Sequence, residues 1–370
     1  ASKIERETLR WLGERVGWKT PFDGTFTSGG NEANFSALAL ALAAHFPESV
    51  ENGVAAIGAQ PVLYTSVEAH HSLDKSAGLL GLGRKSLRRI AVNDRVQLDP
   101  TKLEAQIKLD NDAGLLPFCV VATAGTTNSG AVDDLEALAA ICQRHSLWQH
   151  LDGAYGAAAI FSDKHRDLVR GIELADSITI DPHKWLAMPF AAGAVLTSHP
   201  ETLRQAFGVS TPYMPKSSGG LAPPLDNFQV STQWSRRMNS LKLWLTLRVH
   251  GRQAYEELID RQLKLAAFFA EWVRNSPHFE LAAPQVLPIV NLRVKLPGAG
   301  EEQIRAANQA VVQEVTRDGR RWISDTVVNG RSVIRMMVIS YLTGHRQLED
   351  LAIALTDAVR TKTSAANSRE

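Results

Sequence analysis

The stretch Ala175–Phe190, ADSITIDPHKWLAMPF, decides the fold. Ser177–Ile180 is a short run rich in β-branched residues, suited to a buried strand. It ends in Asp181-Pro182-His183-Lys184-Trp185. Pro182 keeps the preceding residue out of helical geometry, so Lys184 falls just past a strand end. A surface lysine has little reason to be flanked by Trp185, Leu186 and Pro189. A lysine in an apolar site has a lowered pKa and acts as an amine nucleophile. The plainer explanation is a surface or salt-bridged lysine.

Outward from this stretch, similar strands recur at Val62–Ser66, Phe118–Thr123, Leu147–Leu151 and Ala194–Thr197. Between them lie helical patterns at Glu32–His45, Asp74–Gly81 and Asp134–His145, and a long one at Ser240–Arg274. Another helical pattern (Ile4, Leu9, Trp11, Leu12, Val16) begins almost at residue 1. The alternation predicts an α/β fold with a mostly parallel central sheet covered on both sides. Ser210–Asn227, rich in Pro, Gly and Ser, reads as a mobile loop. Past Pro277 come Phe279–Ala282, Ile289–Val294, a helix Glu301–Asp318, Val333–Ile339 and a last helix Gln347–Thr361. The division expected is a large domain of residues 1–274 and a smaller C-terminal α+β domain of residues 275–370.

Net charge is +1, which gives no basic excess for nucleic acid or acidic membranes. No apolar run approaches the ~18–20 residues of a membrane span, and the charged start Ala1–Arg10 lacks a signal peptide's apolar core. Cys119 and Cys142 form no CxxC, which argues against a metal site or disulfide framework and fits a reducing cytoplasm.

Three further segments bear on chemistry. In TFTSGGNEANFSALALALA (residues 25–43), Ser28-Gly29-Gly30 precedes a helical run. Free N–H groups at a helix start make a phosphate cradle, although such a turn is more often a plain cap. In LWQHLDGAYGA (residues 147–157), Asp152 ends an apolar strand and small residues follow it. A carboxylate there reaches the usual ligand crevice of an open sheet, with room for a flat ring; alone, it reads as a turn cap. GLLGLGRKS (residues 78–86) imitates a P-loop, but Arg84 breaks the Gly-Lys-Ser ending and no strand precedes it. Pyridoxal 5′-phosphate (PLP) requires a lysine for its Schiff base, an acid for its pyridine nitrogen and donors for its phosphate. Lys184, Asp152 and the glycine turn supply all three.

The chain resembles the group II PLP-dependent amino-acid decarboxylases, the aromatic-L-amino-acid, glutamate and diaminobutyrate decarboxylase family. The matching stretches are FTSGGNEAN, HHSLDKSAGLLG, ATAGTTNSGAVDD, HLDGAYGA, ADSITIDPHKW and SRRMNSLKLW, in family order over residues 26–244, with a similar tail at residues 319–343. The resemblance implies PLP fold type I, aspartate-aminotransferase-like, and a homodimer with its active site at the interface. It implies Lys184 as Schiff-base lysine, with His183 near the phosphate, and Asp152 on the pyridine nitrogen. Ala154 lies on one ring face and His70 on the other, within reach of the substrate carboxylate. Thr126 is placed near the ring oxygen; Gly30, Asn31 and Ser177 match phosphate contacts. Tyr213, in TPYMPK, matches a loop acid that protonates the substrate Cα, a fitting role for a phenol of pKa ~10. Arg236 matches a substrate-carboxylate position, with a structural salt bridge as its rival. Family chains carry a further N-terminal segment before the point where this one starts.

The expected reaction is decarboxylation of an L-amino acid to an amine and CO2, with an aromatic substrate first. The alternatives are an acidic or diamino acid substrate, an aldehyde-forming oxidative decarboxylation on the same scaffold, and a non-catalytic PLP-binding protein. A dinucleotide-binding protein is disfavoured because no GxGxxG follows a first strand.

Overall fold

The computed structural model describes residues 1–211 and 226–367, with side chains as far as 360. A seven-stranded sheet is built from β1 (Asp23–Thr27), β2 (Pro61–Ser66), β3 (Leu87–Ile90), β4 (Leu116–Thr123), β5 (Trp148–Asp152), β6 (Ser177–Ile180) and β7 (Gly193–Thr197). Its order is β1-β7-β6-β5-β4-β2-β3. Pairing is parallel from β3 through β6, and β7 lies antiparallel to both β6 and β1. The expected mostly parallel sheet is therefore present. Every residue of β2, β5, β6 and β7 is buried, as strands covered on both faces must be.

The helices are α1 (Ser2–Val16), α2 (Gly30–His45), α3 (Glu48–Asn52), α4 (Ser72–Leu79), α5 (Pro100–Asp112), α6 (Leu135–His145), α7 (Pro200–Phe207), α8 (Ser240–Asn275), α9 (Glu301–Thr316) and α10 (His345–Asn367). The Ala/Leu repeat of α2 is apolar all round, which suits a helix packed inside the molecule; Ala37, Leu38, Leu40 and Ala41 are fully buried. The long C-terminal helical pattern differs from its expectation. α8 is broken at Gly251 (φ 73°, ψ 176°), so it is two helices meeting at a kink.

A second sheet, β10 (Ser324–Val328), β11 (Arg331–Met337), β9 (Ile289–Val294) and β8 (Phe279–Leu281) in that order, is antiparallel throughout. It forms the smaller C-terminal α+β unit with α9 and α10, around Phe269, Phe279, Leu292, Ile334 and Leu355. α8 serves both cores: Leu243, Tyr255 and Ile259 pack in the large one, Leu265 to Val273 in the small one. No helix among the described residues is long and apolar enough to cross a membrane. The reading of Ser210–Asn227 as a loop, and Tyr213 with it, falls almost wholly on residues 212–225, outside those described.

Candidate active site

Two neighbouring strands deliver side chains to one crevice at their carboxyl ends, where ligands bind in open α/β sheets. β5 ends in Asp152, 5% exposed. Its Oδ1 accepts from Ala154 N–H at 3.2 Å and its Oδ2 from Asn34 Nδ2 at 2.8 Å. β6 runs into a turn in which Lys184 N–H donates to the Asp181 carbonyl at 2.9 Å. The turn sets Lys184 Nζ 3.3 Å from Asp181 Oδ2 and leaves the lysine side chain 37% exposed. Asp181 is buried, and its Oδ1 has no hydrogen-bond partner among the described residues. Burial pushes its carboxyl pKa up, against the opposing charges of Lys184 and His183. His183 Nδ1 lies 2.6 Å from the Ala192 carbonyl, and the ring sits beside Phe190.

The N-terminus of α2 closes the crevice. Gly29 has φ +150°, which L side chains rarely adopt. A Cβ on Gly30 would stand 2.7 Å from Asp181 Oδ2, and one on Gly193 would stand 2.6 Å from Gly29 Cα. The glycines therefore let helix and strand end approach closely, with the first N–H groups of α2 unspent. His70 stands at the open side. Its Nδ1 accepts from Ser72 N–H at 3.1 Å. Because Nδ1 accepts, a neutral ring carries its proton on Nε2; partial burial holds the His70 pKa below the ordinary histidine value, with Asp152 opposing.

The resulting cavity has a volume of about 550 Å³. Lys184, Asp152, His70, Ala154, Gly30, Asn31 and His183 all line it. It suits PLP: an amine and a carboxylate open into one space, a glycine-lined helix start offers phosphate donors, and polar atoms of lining residues lack partners among the described residues. Those atoms include the Tyr155 hydroxyl as well as Asp181 Oδ1.

Three expected residues are not brought to the cavity. Arg236 is 6% exposed at its side chain and paired with Glu5, itself 8% exposed; its Nη1 also donates to the Phe26 carbonyl at 2.5 Å. It ties α1 to the large sheet and does not face the crevice. Thr126 turns inward, its hydroxyl 2.7 Å from that of Ser129, and the neighbouring Thr127 lines the cavity. Ser177 is at the opposite end of β6, bonded to Trp148 and His150. Tyr213 lies outside the described residues.

Sequence reasoning missed Asp181, Asn34, Thr127, Tyr155 and Arg335. Arg335 on β11 reaches across from the small domain to the cavity. It has no carboxylate within ion-pair distance among the described residues, and only Met337 Sδ faces Nη2, at 3.7 Å. Burial lowers its pKa, and the Tyr155 hydroxyl opposes this. An arginine inside the apolar run VIRMMVIS was the available signal.

Comparison with known proteins matches this arrangement. Residues 1–295 match the model of the pyridoxal-dependent decarboxylase conserved domain. The chain is 35% identical to an aromatic-L-amino-acid decarboxylase of Bacillus atrophaeus, over 92% of this chain and 69% of the relative. It is 38% identical to human cysteine sulfinic acid decarboxylase, over 75% of this chain and 56% of the relative. The chain thus spans little more than half of that second protein. Its fold is similar to a crystal structure of Oryza sativa TDC with PLP and tryptamine (TM-score 0.90, 27% identity, 98% of this chain, 76% of that one). On these grounds the chain belongs to the family of PLP-dependent decarboxylases.

Proposed function

We propose that this chain carries the catalytic centre of a PLP-dependent decarboxylase that converts an L-amino acid to its amine and CO2. The observation that carries the proposal is that Lys184 and Asp152, from neighbouring strand ends, open into one cavity. Bound PLP supplies an electron sink for the pair left at Cα as CO2 departs. Lys184 would hold the cofactor through its side-chain amine. Asp152 holds a proton on the ring nitrogen by its charge. The N–H groups of Gly30 and Asn31, with His183, hold the phosphate. Ala154 and His70 flank the ring, and Thr127 takes the role first given to Thr126. Arg335, with no carboxylate partner among the described residues, replaces Arg236 as the group that orients the substrate carboxylate. Tyr213 is proposed, on its motif alone, as the acid that protonates Cα.

An aromatic substrate is favoured by the Bacillus relative and by Phe190, Ile289, Met337 and Ile339 in the cavity wall. An acidic substrate is favoured by the human relative. CO2 release from a panel of L-amino acids separates the two, and a PLP-loaded protein that leaves the whole panel unchanged would be a non-catalytic binder. Tyr213→Phe should keep cofactor absorbance and lose amine formation by about 10²–10⁴-fold. Unchanged amine output excludes Tyr213 as the acid; wild-type output of aldehyde and ammonia would identify the oxidative reaction instead.

We further propose a homodimer and a cytoplasmic location. Phe190, 81% exposed at the cavity mouth, supports an apolar partner there, and two buried free cysteines fit a reducing compartment. The division at residues 274/275 is retained, with α8 shared between the two parts.

A further inference from the structure

Beneath Asp152 lies a file of buried polar side chains that the proposed reaction does not touch. Trp148 Nε1–H can only donate, and it donates to Ser177 Oγ at 2.8 Å. That hydroxyl has one proton to give, and His150 Nδ1 lies 2.9 Å away. On the other side, Asn34 Nδ2 donates to Asp152 Oδ2 at 2.8 Å and to Ser72 Oγ at 3.0 Å. The amide oxygen of Asn34 therefore faces His150 Nε2, at 3.2 Å. Flipping the amide would set that oxygen against the carboxylate. Placing the ring proton on Nδ1, toward the Ser177 carbonyl at 3.2 Å, would set the Nε2 lone pair against the Asn34 oxygen. Neutral His150 with its proton on Nε2 meets the Ser177 hydroxyl, the Asn34 oxygen and Thr179 Oγ1 (3.4 Å from Nε2) together, and gives up only the Nδ1 contact to the Ser177 carbonyl.

We propose that Trp148, Ser177, His150 and Asn34 form a one-way hydrogen-bond chain that positions Asp152 as a charged acceptor for the cofactor's ring nitrogen. This rests on the reading that Asp152 meets that nitrogen. From Trp148 to Asn34 each link donates toward Asp152, and the second amide proton of Asn34 is held by Ser72. With Ala154 N–H on the other oxygen, each carboxylate oxygen has one fixed donor and a lone pair to spare. A carboxylate fixed by donors on both oxygens needs no reorientation when the ring arrives. Burial independently favours a neutral imidazole, pushing the His150 pKa down to about 4 against the charge of Asp152. The four side chains are positioning residues, and Ser177 belongs to this chain and not to the phosphate.

The first test is the histidine-ring nitrogen NMR spectrum of the ¹⁵N-histidine-labelled holoenzyme, with His150 assigned by its loss in His150→Gln. The expected result is a neutral ring protonated at Nε2; protonation at Nδ1, or at both nitrogens, overturns the proposal. The second test loads the enzyme with PLP labelled with ¹⁵N in the ring. The nitrogen should be protonated in the wild type and shift toward the unprotonated signal in Asn34→Leu and His150→Leu. In those variants kcat should fall about 10–100-fold, the usual range for supporting residues, with melting temperature and cofactor occupancy retained. His150→Gln, whose amide nitrogen occupies roughly the place of Nε2, should restore the ring-nitrogen signal. A folded, loaded Asn34→Leu protein with the wild-type signal overturns the chain. Asp152→Asn separates the two levels. If it too leaves the ring nitrogen unmoved, the site reading fails; if it alone moves it, only the chain fails. Should the leucine variants not fold, the tautomer in the unmodified enzyme decides.

Discussion

Arg335 and Arg236 are the same residue type with opposite fates, and the difference is which groups surround each one. Arg236 is spent on Glu5, deep enough that removing one partner leaves a buried charge alone. Arg236→Ala should cost roughly 3–5 kcal/mol of stability and leave KM near wild type. Arg335→Ala should raise KM about 10–100-fold, the worth of a charged hydrogen-bond pair, with the melting temperature little changed. Denaturant titration beside steady-state kinetics checks both; the reverse pattern would restore Arg236 to the substrate. His150 gives a pH prediction. Its folded pKa of about 4 lies below the unfolded histidine value of ~6.5, so the native state resists its protonation. Its contribution is fully present above pH ~6.5 and lost as pH falls toward 4. The loss is at most about 3 kcal/mol, and urea titrations should show this component missing in His150→Gln. At this scale the sequence made Lys184 and Asp152 legible, because each sits in a distinctive strand-end motif. It could not separate Thr126 from Thr127, since neighbouring loop residues differ only in the direction the backbone turns them. Nor could it show that Glu5, 231 positions away, claims Arg236.

Elements that carry the site were legible as short β-prone runs bounded by turn residues, although β5 (WQHLD) and β6 (SITI) bury polar side chains as well as apolar ones. β6 appears within the bounds expected, and β4, β5 and β7 within one or two residues. What escaped was short or disguised. β3 reads LRRI, its two arginines hiding a strand. β1 is five residues at a sheet edge. α5 also went unread, although Asp99 as N-cap and Pro100 at the first helical position mark its start. Gly251 broke α8 unforeseen, because one glycine in a helical pattern is usually tolerated. The approach of β7 to the start of α2 is the element contact on which the phosphate cradle depends. A Cβ at Gly193 would press on Gly29 backbone at 2.6 Å, which no side-chain rotation relieves. Gly193→Ala should therefore weaken PLP binding about tenfold or more, the cost of ~1–3 kcal/mol of overpacking, as measured by fluorescence titration of the apoenzyme. Wild-type affinity would mean the cradle lies elsewhere.

At the scale of the whole molecule, the two sheets meet over one cavity, and the small sheet supplies Ile289, Arg335 and Met337 to its wall. Leu287 and Ile289, at the start of the small sheet, pack into the large core beside Gly125 and Gly130. Asn128 exchanges hydrogen bonds with Thr326, Val327 and Asn291 across the same seam. The small domain thereby carries Arg335 to Tyr155 and the cofactor site, a juxtaposition that no local motif encodes. The central claim is that this shared cavity binds PLP through Lys184. Borohydride reduction of the PLP-loaded protein, followed by proteolysis and mass spectrometry, tests it directly. A pyridoxyl group fixed on the peptide containing Lys184, and absent in Lys184→Ala, is the predicted result; a stably bound cofactor fixed to another lysine, or to none, would contradict it.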